Sequence, residues 1–437
     1  MNDTGHLQGA SPLWHPFADM GAVARDKLVL ERADGIWAWD AEGRRYLDAT
    51  ASLWYANLGH ARDEIAAAIA DQLGALDAYS IFGDYANQPA LELAERLAAL
   101  APSPGMKVFL GSGGGDMVDT AVKVVRAHFA QTGQPQRTHL ISRTHGYHGT
   151  HGLGTSVGGI PANTGGWGPL VTDVSVVPHD DAAALEREIE RVGTERVAAF
   201  FCEPVIGAGG VRHAPAGYIE AVAEICKRHG VLFVADCVIS GFGRLGTWWG
   251  IDRWPVQPDL ITVAKGLTNG VLPVGALLVA EHVAAPFFPD AAGAPVLRHG
   301  PTYAGHPVCC AAALAALDVY ERDDVIRRGR DLEDALAAVL RPLAEHPLVG
   351  EVRAGLGLMA AIELSEDVLR AAPDAPARWV AAGREAGVLV RPLAGAIALS
   401  PPLVIEEDEI ALLGTRLANS LELLSDALAP AAARSAG

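Results

Sequence analysis

Two charged residues stand at the predicted ends of buried strands. The apolar run VLFVAD (231–236) ends at Asp236, and the run DLITVAK (259–265) ends at Lys265. Because ligands of open α/β sheets collect at the carboxyl ends of the strands, this carboxylate and this amine can converge in one crevice. Taken singly, an aspartate after a strand is usually a turn or a helix cap, and a lysine there is usually solvated. Together they predict a site in which a lysine is desolvated beside an acid.

A glycine-rich loop follows another predicted strand, KVFLG (107–111). The segment GSGGGDMVDTAVK (111–123) joins that strand to a helix, and its three consecutive glycines exceed the needs of a tight turn. Backbone N–H groups at such a loop and helix N-terminus form an anion site, and phosphate is the usual occupant. No Gly-Lys-Ser/Thr follows, so the segment is not a P-loop, and Asp116 stands where a dinucleotide fingerprint needs its third glycine.

Two other motifs are less specific. GFGRLG (241–246) matches GxGxxG, but TWWGIDRW follows it instead of a helix, so the helix dipole that should hold a pyrophosphate is missing. This disfavours an NAD-dependent oxidoreductase, which stays as an alternative. The loop HGYHGTHG (145–152) is either a plain surface loop or a set of metal-binding histidines, and acidic metal partners are absent nearby. We predict no metal site.

The combination of these features is more specific than any one of them. A phosphate cradle, an aromatic ring, a buried carboxylate and a desolvated lysine are what pyridoxal 5′-phosphate needs. The carboxylate keeps the pyridine nitrogen protonated so that the ring can accept electrons, and a lysine of depressed pKa forms the Schiff base. We therefore predict pyridoxal 5′-phosphate as the cofactor and Lys265 as its point of attachment.

Composition narrows the classes of partner. The chain has 437 residues with 34 Lys and Arg against 52 Asp and Glu, a formal net charge of −18. Such an acidic chain is a poor partner for nucleic acid or for an anionic membrane. No apolar run of transmembrane length and no secretory leader are visible, and the five cysteines show no CxxC spacing. We expect a cytoplasmic protein without a disulfide framework.

The elements that must position the site alternate along the centre of the chain. Short runs rich in Val, Ile, Leu and Phe alternate with amphipathic stretches, which is typical of an α/β domain with a mainly parallel sheet. Further strands are predicted at 138–142, 174–178, 196–204 and 274–280, and helices at 115–131, 181–193 and 216–229. The sequences of both chain ends predict short strands. We therefore expect a small α+β domain made from residues 1–60 and 326–437, beside a large domain at 61–325.

Taken in order, the motifs resemble the class III (ω-) aminotransferases of pyridoxal-phosphate fold type I, from about Leu13 to Ile410. They are SLWYANLGH (52–60), GSGGGDMVDTAVK (111–123), HGYHG (145–149), EPVIGAGG (203–210), DCVISGFGRLG (236–246), AKGLTNG (264–270), HGPTYAGHPV (299–308) and VRPLAGAIALSPPLVI (390–405). The segments SLW (52–54), RPLAG (391–395) and SPPLVI (400–405) look most like the branch that transfers amino groups between amines or ω-amino acids and pyruvate. The resemblance implies a mainly parallel seven-stranded sheet in the large domain, and a homodimer, or a tetramer, with shared active sites.

The resemblance also implies cofactor contacts at single positions. Lys265 is the Schiff-base lysine and the proton shuttle, and Asp236 pairs with the pyridine nitrogen. The other implied contacts are the backbone at Gly114 and Gly115, the side chains of Tyr147, His148, Glu203 and Val238, and Thr302 from the neighbouring subunit.

For the substrates, the resemblance implies an amine donor, a keto acid acceptor and a ping-pong mechanism. Trp54 and Tyr55 are expected to line the substrate pocket, and Arg391 to pair with a substrate carboxylate. The same scaffold supports decarboxylation and amino-group migration, and a non-enzymatic regulatory protein is a further alternative. Retention of both Lys265 and Asp236 argues against the latter.

Three positions depart from the family pattern. Gly115 stands where many relatives have Ser or Thr, so a side-chain hydroxyl to the phosphate is lost. Cys237 stands where the family usually has Glu, which replaces a charge by a small and nearly apolar group. Ile239 replaces a Gln of other branches, which fits the amine:pyruvate branch. None of these changes removes Lys265 or Asp236, so activity is expected.

Overall fold

The computed structural model describes residues 11–289 and 293–429. The N-terminal part is an antiparallel meander between two short helices. Its elements are α1 (Met20–Arg25), β1 (Leu30–Asp34), β2 (Trp37–Asp40), β3 (Arg45–Asp48) and α2 (Ala51–Trp54).

The central part alternates helices and strands. Its helices are α3 (Asp63–Ala75), α4 (Gln88–Leu100), α5 (Gly114–Gln131), α6 (Gly152–Ser156), α7 (Pro161–Thr164), α8 (Ala182–Val192), α9 (Tyr218–His229), α10 (Glu281–Ala284) and α11 (Pro307–Arg322). Its strands are β4 (Lys107–Gly111), β5 (His139–Arg143), β6 (Val174–Val177), β7 (Val197–Cys202), β8 (Val205–Ile206), β9 (Arg212–His213), β10 (Leu232–Asp236), β11 (Leu260–Val263) and β12 (Gly275–Val279).

Seven of these strands form the large sheet. Their order is β4-β12-β11-β10-β7-β5-β6, and β12 alone runs in the direction opposite to the other six strands. Every residue of β7, β10, β11 and β12 is buried, which explains why their sequences are continuous apolar runs without alternation. The predicted seven-stranded, mainly parallel sheet is confirmed.

The C-terminal part returns to the N-terminal meander. Its elements are α12 (Arg328–Asp331), α13 (Glu333–Leu340), β13 (Val349–Arg353), β14 (Ala360–Leu364), α14 (Glu366–Ala371), α15 (Ala375–Glu385), β15 (Val388–Leu389), β16 (Arg391–Leu393), β17 (Ala396–Leu399) and α16 (Glu407–Leu428). Strand β15 pairs in parallel with β3, so one sheet holds strands from both chain ends, and the others form a second sheet in the order β13-β14-β17-β16. The domain boundaries at 60/61 and 325/326 stay predictions.

Several helices begin or end at residues with recognisable capping chemistry. The side chain of Asp181 accepts a hydrogen bond from the backbone of Ala184 at the start of α8. Gly230 ends α9 in the left-handed conformation, and Glu406 and Glu409 form a capping box at the start of α16. Within the described ranges, no helix combines the length and the apolar character needed to cross a membrane.

The GFGRLG segment is a packing junction. Arg244 is fully buried, and its guanidinium donates to the carbonyls of Leu358 (2.8 Å) and Pro401 (2.6 Å) and to Asn57 Oδ1 (2.6 Å). A Cβ on Gly246 would lie 2.6 Å from a backbone nitrogen of α12, so protein already fills the space beside this loop. The motif that suggested an NAD site therefore joins distant parts of the chain, and the oxidoreductase alternative loses its support.

Candidate active site

Lys265 follows β11 and begins a short 3₁₀-helix, Lys265–Thr268. Its φ of 47° lies in the left-handed region, where a side chain makes the backbone strained, and such strain is concentrated at functional sites. Burial lowers the pKa of the Lys265 amine to about 8, although the charges of Asp236 and Glu203 act in the opposite direction. The neutral share of this amine near pH 7 is therefore much larger than that of an ordinary lysine.

Asp236 ends β10, which lies beside β11 in the sheet. Its Oδ1 accepts hydrogen bonds from Thr262 Oγ1 (3.0 Å) and from the backbone N–H of Val238 (3.2 Å). Its Oδ2 accepts from His148 Nδ1 at 2.7 Å, and both side chains of this pair are buried. These contacts hold the carboxylate in one orientation at the strand end.

The buried carboxylate of Glu203 joins two loops around the site. Its Oε1 accepts the backbone N–H of Tyr147 and its Oε2 that of Gly207, each at 2.9 Å. Burial raises the pKa of this carboxyl, and the neighbouring charge of Asp236 adds to that increase. Glu203 therefore fixes where the Tyr147 backbone lies relative to the strand ends.

The N-terminus of α5 is open to close approach because its first residues lack side chains. A Cβ on Gly114 would lie 2.8 Å from Val238 Cγ1, which is closer than real Cβ contacts allow. On the other side, a Cβ on Gly149 would lie 2.7 Å from the Cα of Gly115. Two neighbouring segments therefore approach the backbone of this helix end more closely than side chains at Gly114 and Gly149 would allow.

One cavity of about 400 Å³ brings most of the predicted site residues together. Eight of them line it, at Gly114, Gly115, Tyr147, His148, Glu203, Asp236, Val238 and Lys265. The amine and the carboxylate from the two strand ends therefore share one space with the N-terminus of α5. A structure with these two side chains in different cavities would have contradicted the predicted site.

Comparison with known proteins identifies the family. The sequence model of the family "Aminotransferase class-III" matches residues 20–421. The chain belongs to the class III aminotransferases. It is 38% identical over 417 residues to an ω-aminotransferase of Caulobacter vibrioides, covering 91% of this chain and 94% of that protein. It is also 37% identical over 372 residues to the β-alanine–pyruvate aminotransferase of Pseudomonas aeruginosa, covering 80% and 82% of the two chains.

Solved structures agree with this membership. An amine transaminase from an uncultivated Pseudomonas species, solved in a pyridoxal-phosphate-bound form, superposes with a TM-score of 0.91. It is 37% identical in sequence, and the match covers 95% of this chain and all of that one. An (S)-enantioselective ω-transaminase of Thermomicrobium roseum gives a TM-score of 0.89 at 37% identity, covering 94% and 96%. The fold is that of pyridoxal-phosphate enzymes of fold type I, as predicted.

The cavity of this aminotransferase fits pyridoxal 5′-phosphate, the cofactor of the family. Backbone N–H groups at the N-terminus of α5 suit the phosphate, and the space that a Cβ at Gly114 would take is held by Val238. Asp236 offers an oriented carboxylate to the pyridine nitrogen. Lys265 offers an amine whose lowered pKa suits covalent attachment. The donor set therefore matches the phosphate, nitrogen and aldehyde ends of the cofactor.

Four predicted residues of the aminotransferase do not line the cavity in this single chain. Trp54 is buried in an apolar cluster that includes the cavity residue Ile239, and the hydroxyl of Tyr55 lies 2.7 Å from Ser52 Oγ. Arg391 is half-buried, and its charge contributes to the lowered pKa of Lys265. Thr302 is exposed. The roles of these four residues stay predictions.

The histidines of the HGYHGTHG loop point to different partners. His145 packs edge-on against His179 with ring centroids 5.1 Å apart, whereas His148 binds Asp236. The His151 ring lies over Gly115. In the part of the chain that the structure describes, no group of three His, Cys, Asp or Glu side chains could hold a metal ion.

Sequence reasoning missed two residues that support the site. Thr262 donates a hydrogen bond to Asp236. It could have been found in the sequence because it is the single polar residue of the buried strand LITV. Arg143 is buried at the end of β5 and donates from Nη2 to the backbone carbonyl of Glu203. Arg143 could have been found in the sequence because it is a charged residue at the end of an apolar run, as Lys265 is.

Proposed function

We propose that this aminotransferase moves an amino group from a primary amine or an ω-amino acid to a keto acid, with pyruvate as the acceptor. The observation that supports it is the common cavity of Lys265, Asp236 and the N-terminus of α5. The relatives named for β-alanine or putrescine and pyruvate support this choice of substrates. The five free cysteines fit a reducing cytoplasm.

In this mechanism the chain supplies binding, orientation and proton transfer. When bound, pyridoxal 5′-phosphate supplies an electron-accepting ring and a carbon that takes up and returns the amino group. Lys265 Nζ would take up the proton from the donor carbon and later give it back, so it would act first as a base and then as an acid. Asp236 would stabilise a proton at the pyridine nitrogen, and His148 and Thr262 keep its carboxylate in place. The keto acid runs the same proton transfers in reverse.

The surface around Thr302 supports a homodimer with shared active sites. Thr302 is exposed, yet its neighbour Pro301 lines the cavity of its own chain. Tyr303 beside it is 70% exposed, and the half-exposed Phe82 is next to Gly300. Large exposed aromatic side chains around a site are typical of a protein interface. In our proposal, Thr302 of a second copy completes the phosphate site, in a dimer or in a tetramer of such dimers.

Incubation of the purified holoenzyme with pyruvate and a panel of amines tests the proposal directly. We expect alanine to form in step with loss of the donor amine, with β-alanine and diamines among the donors tried. Initial rates at several fixed acceptor concentrations should give the parallel lines of a ping-pong mechanism. Release of carbon dioxide, or turnover without any keto acid, would assign decarboxylation or amino-group migration instead.

Arg391→Ala is expected to weaken binding of the keto acid selectively. Its guanidinium Nε is buried and has no hydrogen-bond partner among the described residues, and in our proposal a substrate carboxylate supplies that partner. Loss of hydrogen bonds to a charged group corresponds to a roughly 10-fold to 100-fold higher KM for pyruvate. Steady-state kinetics should show little change in KM for a donor without a carboxylate. Arg391→Lys should recover only part of the affinity, because lysine cannot bind bidentately. Equal effects on both substrates would contradict this role.

A further inference from the structure

The part of the cavity beside the N-terminus of α5 has no side-chain donor at position 115. Gly115 has no side chain, so position 115 offers no hydroxyl to the phosphate. Gly115 lies in the first turn of α5 and lines the cavity. Some other group must therefore face the phosphate from this side, or that contact is missing from the enzyme.

The imidazole of His151 lies in the direction that a side chain at position 115 would take. A Cβ built on Gly115 has the His151 ring as its nearest neighbour, with Cγ, Nδ1 and Cε1 each 3.7 Å away. The ring also lines the cavity that holds Lys265 and Asp236. His151 is an exposed residue, and among the residues that the structure describes its ring nitrogens have no hydrogen-bond partner. An imidazole donor is thus available beside the N-terminus of α5.

The backbone on both sides of His151 is anchored to α5. Two residues earlier, Gly149 packs against Gly115 so closely that a Cβ on it would lie 2.7 Å from the Gly115 Cα. Three residues later, the backbone N–H of Gly154 donates to Asp119 Oδ1 of α5 at 2.7 Å. The loop is therefore fastened to α5 on both sides of His151, and the position of its ring depends on the same helix that faces the phosphate.

We propose that His151 donates a hydrogen bond to the cofactor phosphate and takes the place of the hydroxyl missing at Gly115. This inference rests on the cofactor site of the proposed function and adds a ligand to it. A phosphate is a charged acceptor, so a donor aimed at it forms one of the stronger hydrogen bonds in proteins. Loss of such a bond corresponds to a roughly 10-fold to 100-fold weaker affinity for the cofactor.

The test measures affinity for the cofactor rather than activity. Cofactor-free wild type, His151→Ala and the control His282→Ala are titrated with pyridoxal 5′-phosphate, and binding is followed by absorbance and by quenching of tryptophan fluorescence. We expect roughly 10-fold to 100-fold weaker binding for His151→Ala and no change for His282→Ala, whose side chain is 62% exposed outside the cavity. Titration with pyridoxal, which lacks the phosphate, should give the same affinity for all three proteins.

A double-mutant cycle with Gly115→Ser separates the proposed contact from a structural effect. A serine Cβ would make only ordinary contact with the His151 ring at 3.7 Å, so the variant should fold normally. We expect Gly115→Ser to restore affinity in the His151→Ala background and to add little to the wild type, because the two donors serve one acceptor. Unchanged affinity of His151→Ala for pyridoxal 5′-phosphate, or an equal loss for pyridoxal, would overturn the inference. A wild type that binds the cofactor but forms no alanine would instead contradict the proposed function.

Discussion

Lys265→Ala is expected to eliminate measurable amino transfer while leaving the protein folded. In the proposed mechanism the variant loses the group that moves the substrate proton, and general acid–base catalysis alone contributes a roughly 10²-fold to 10⁴-fold acceleration. It also loses the amine to which the cofactor is attached. Alanine formation from pyruvate should fall to background, and mass spectrometry after borohydride reduction should find no cofactor on the chain. Turnover at the wild-type rate would refute the assignment of Lys265.

The lowered pKa of Lys265 gives this prediction a second readout. With a pKa of about 8, roughly one amine in ten is neutral at pH 7, compared with roughly one in 3,000 for an ordinary lysine. Since only the neutral amine is a nucleophile, the rate at which cofactor-free protein attaches pyridoxal 5′-phosphate should rise with pH and level off above about 8. A rate still rising tenfold per pH unit at pH 9 would contradict the lowered pKa.

Two control variants separate chemistry from structure. Lys265→Arg keeps a positive charge in the cavity but cannot attach the cofactor, so it should be as inactive as the alanine variant. Lys227→Ala removes an exposed lysine of α9 and should retain full activity. Externally added methylamine should restore part of the turnover of Lys265→Ala, because a small neutral amine can occupy the vacated space and accept the proton. It should have no such effect on the arginine variant.

The centre of this fold was predictable because burial leaves a clear signal in the sequence. Strands buried on both faces contain continuous Val, Ile, Leu and Phe, so a charged residue that ends such a strand is conspicuous. Asp236 and Lys265 were found in this way, and the glycine run of 113–115 marked the helix end that faces them. Because parallel strands bring their carboxyl ends to one edge, the convergence of these groups followed from topology alone.

The contacts between distant segments were not predictable from one sequence. Glu203 binds the backbone of two loops, and the sequence motif gave no indication of which amides it would meet. Arg244 was part of a nucleotide-like glycine motif, although it joins carbonyl groups more than a hundred residues away. The surroundings of Trp54 and Arg391 depend on chain ends that meet only after folding. A second copy of the chain is needed to place Thr302, so its role stays open to experiment.

Asp236→Asn is expected to reduce kcat strongly with a smaller effect on folding. The amide preserves the shape of the carboxylate and can still contact His148 and Thr262, but it carries no charge to keep a proton on the pyridine nitrogen. Removal of one such preorganised electrostatic group costs a roughly 10²-fold to 10³-fold fall in kcat. Single-turnover measurement of amino transfer from the donor to the cofactor isolates the proton-transfer step from product release. Thermal unfolding should show that the variant is folded.

Thr262→Val provides the matched comparison for Asp236→Asn. It removes the hydroxyl that donates to Asp236 Oδ1 at 3.0 Å, but it leaves the carboxylate and its bond to His148 in place. Valine also fits a fully buried strand position. Because the negative charge of Asp236 remains and only one of its hydrogen bonds is lost, we expect a smaller fall in kcat, of roughly tenfold. If the charge of Asp236 matters more than its fixed orientation, the asparagine variant will be the slower of the two by at least tenfold. Equal rates would show that orientation of the side chain, rather than its charge, controls the proton transfer at Lys265.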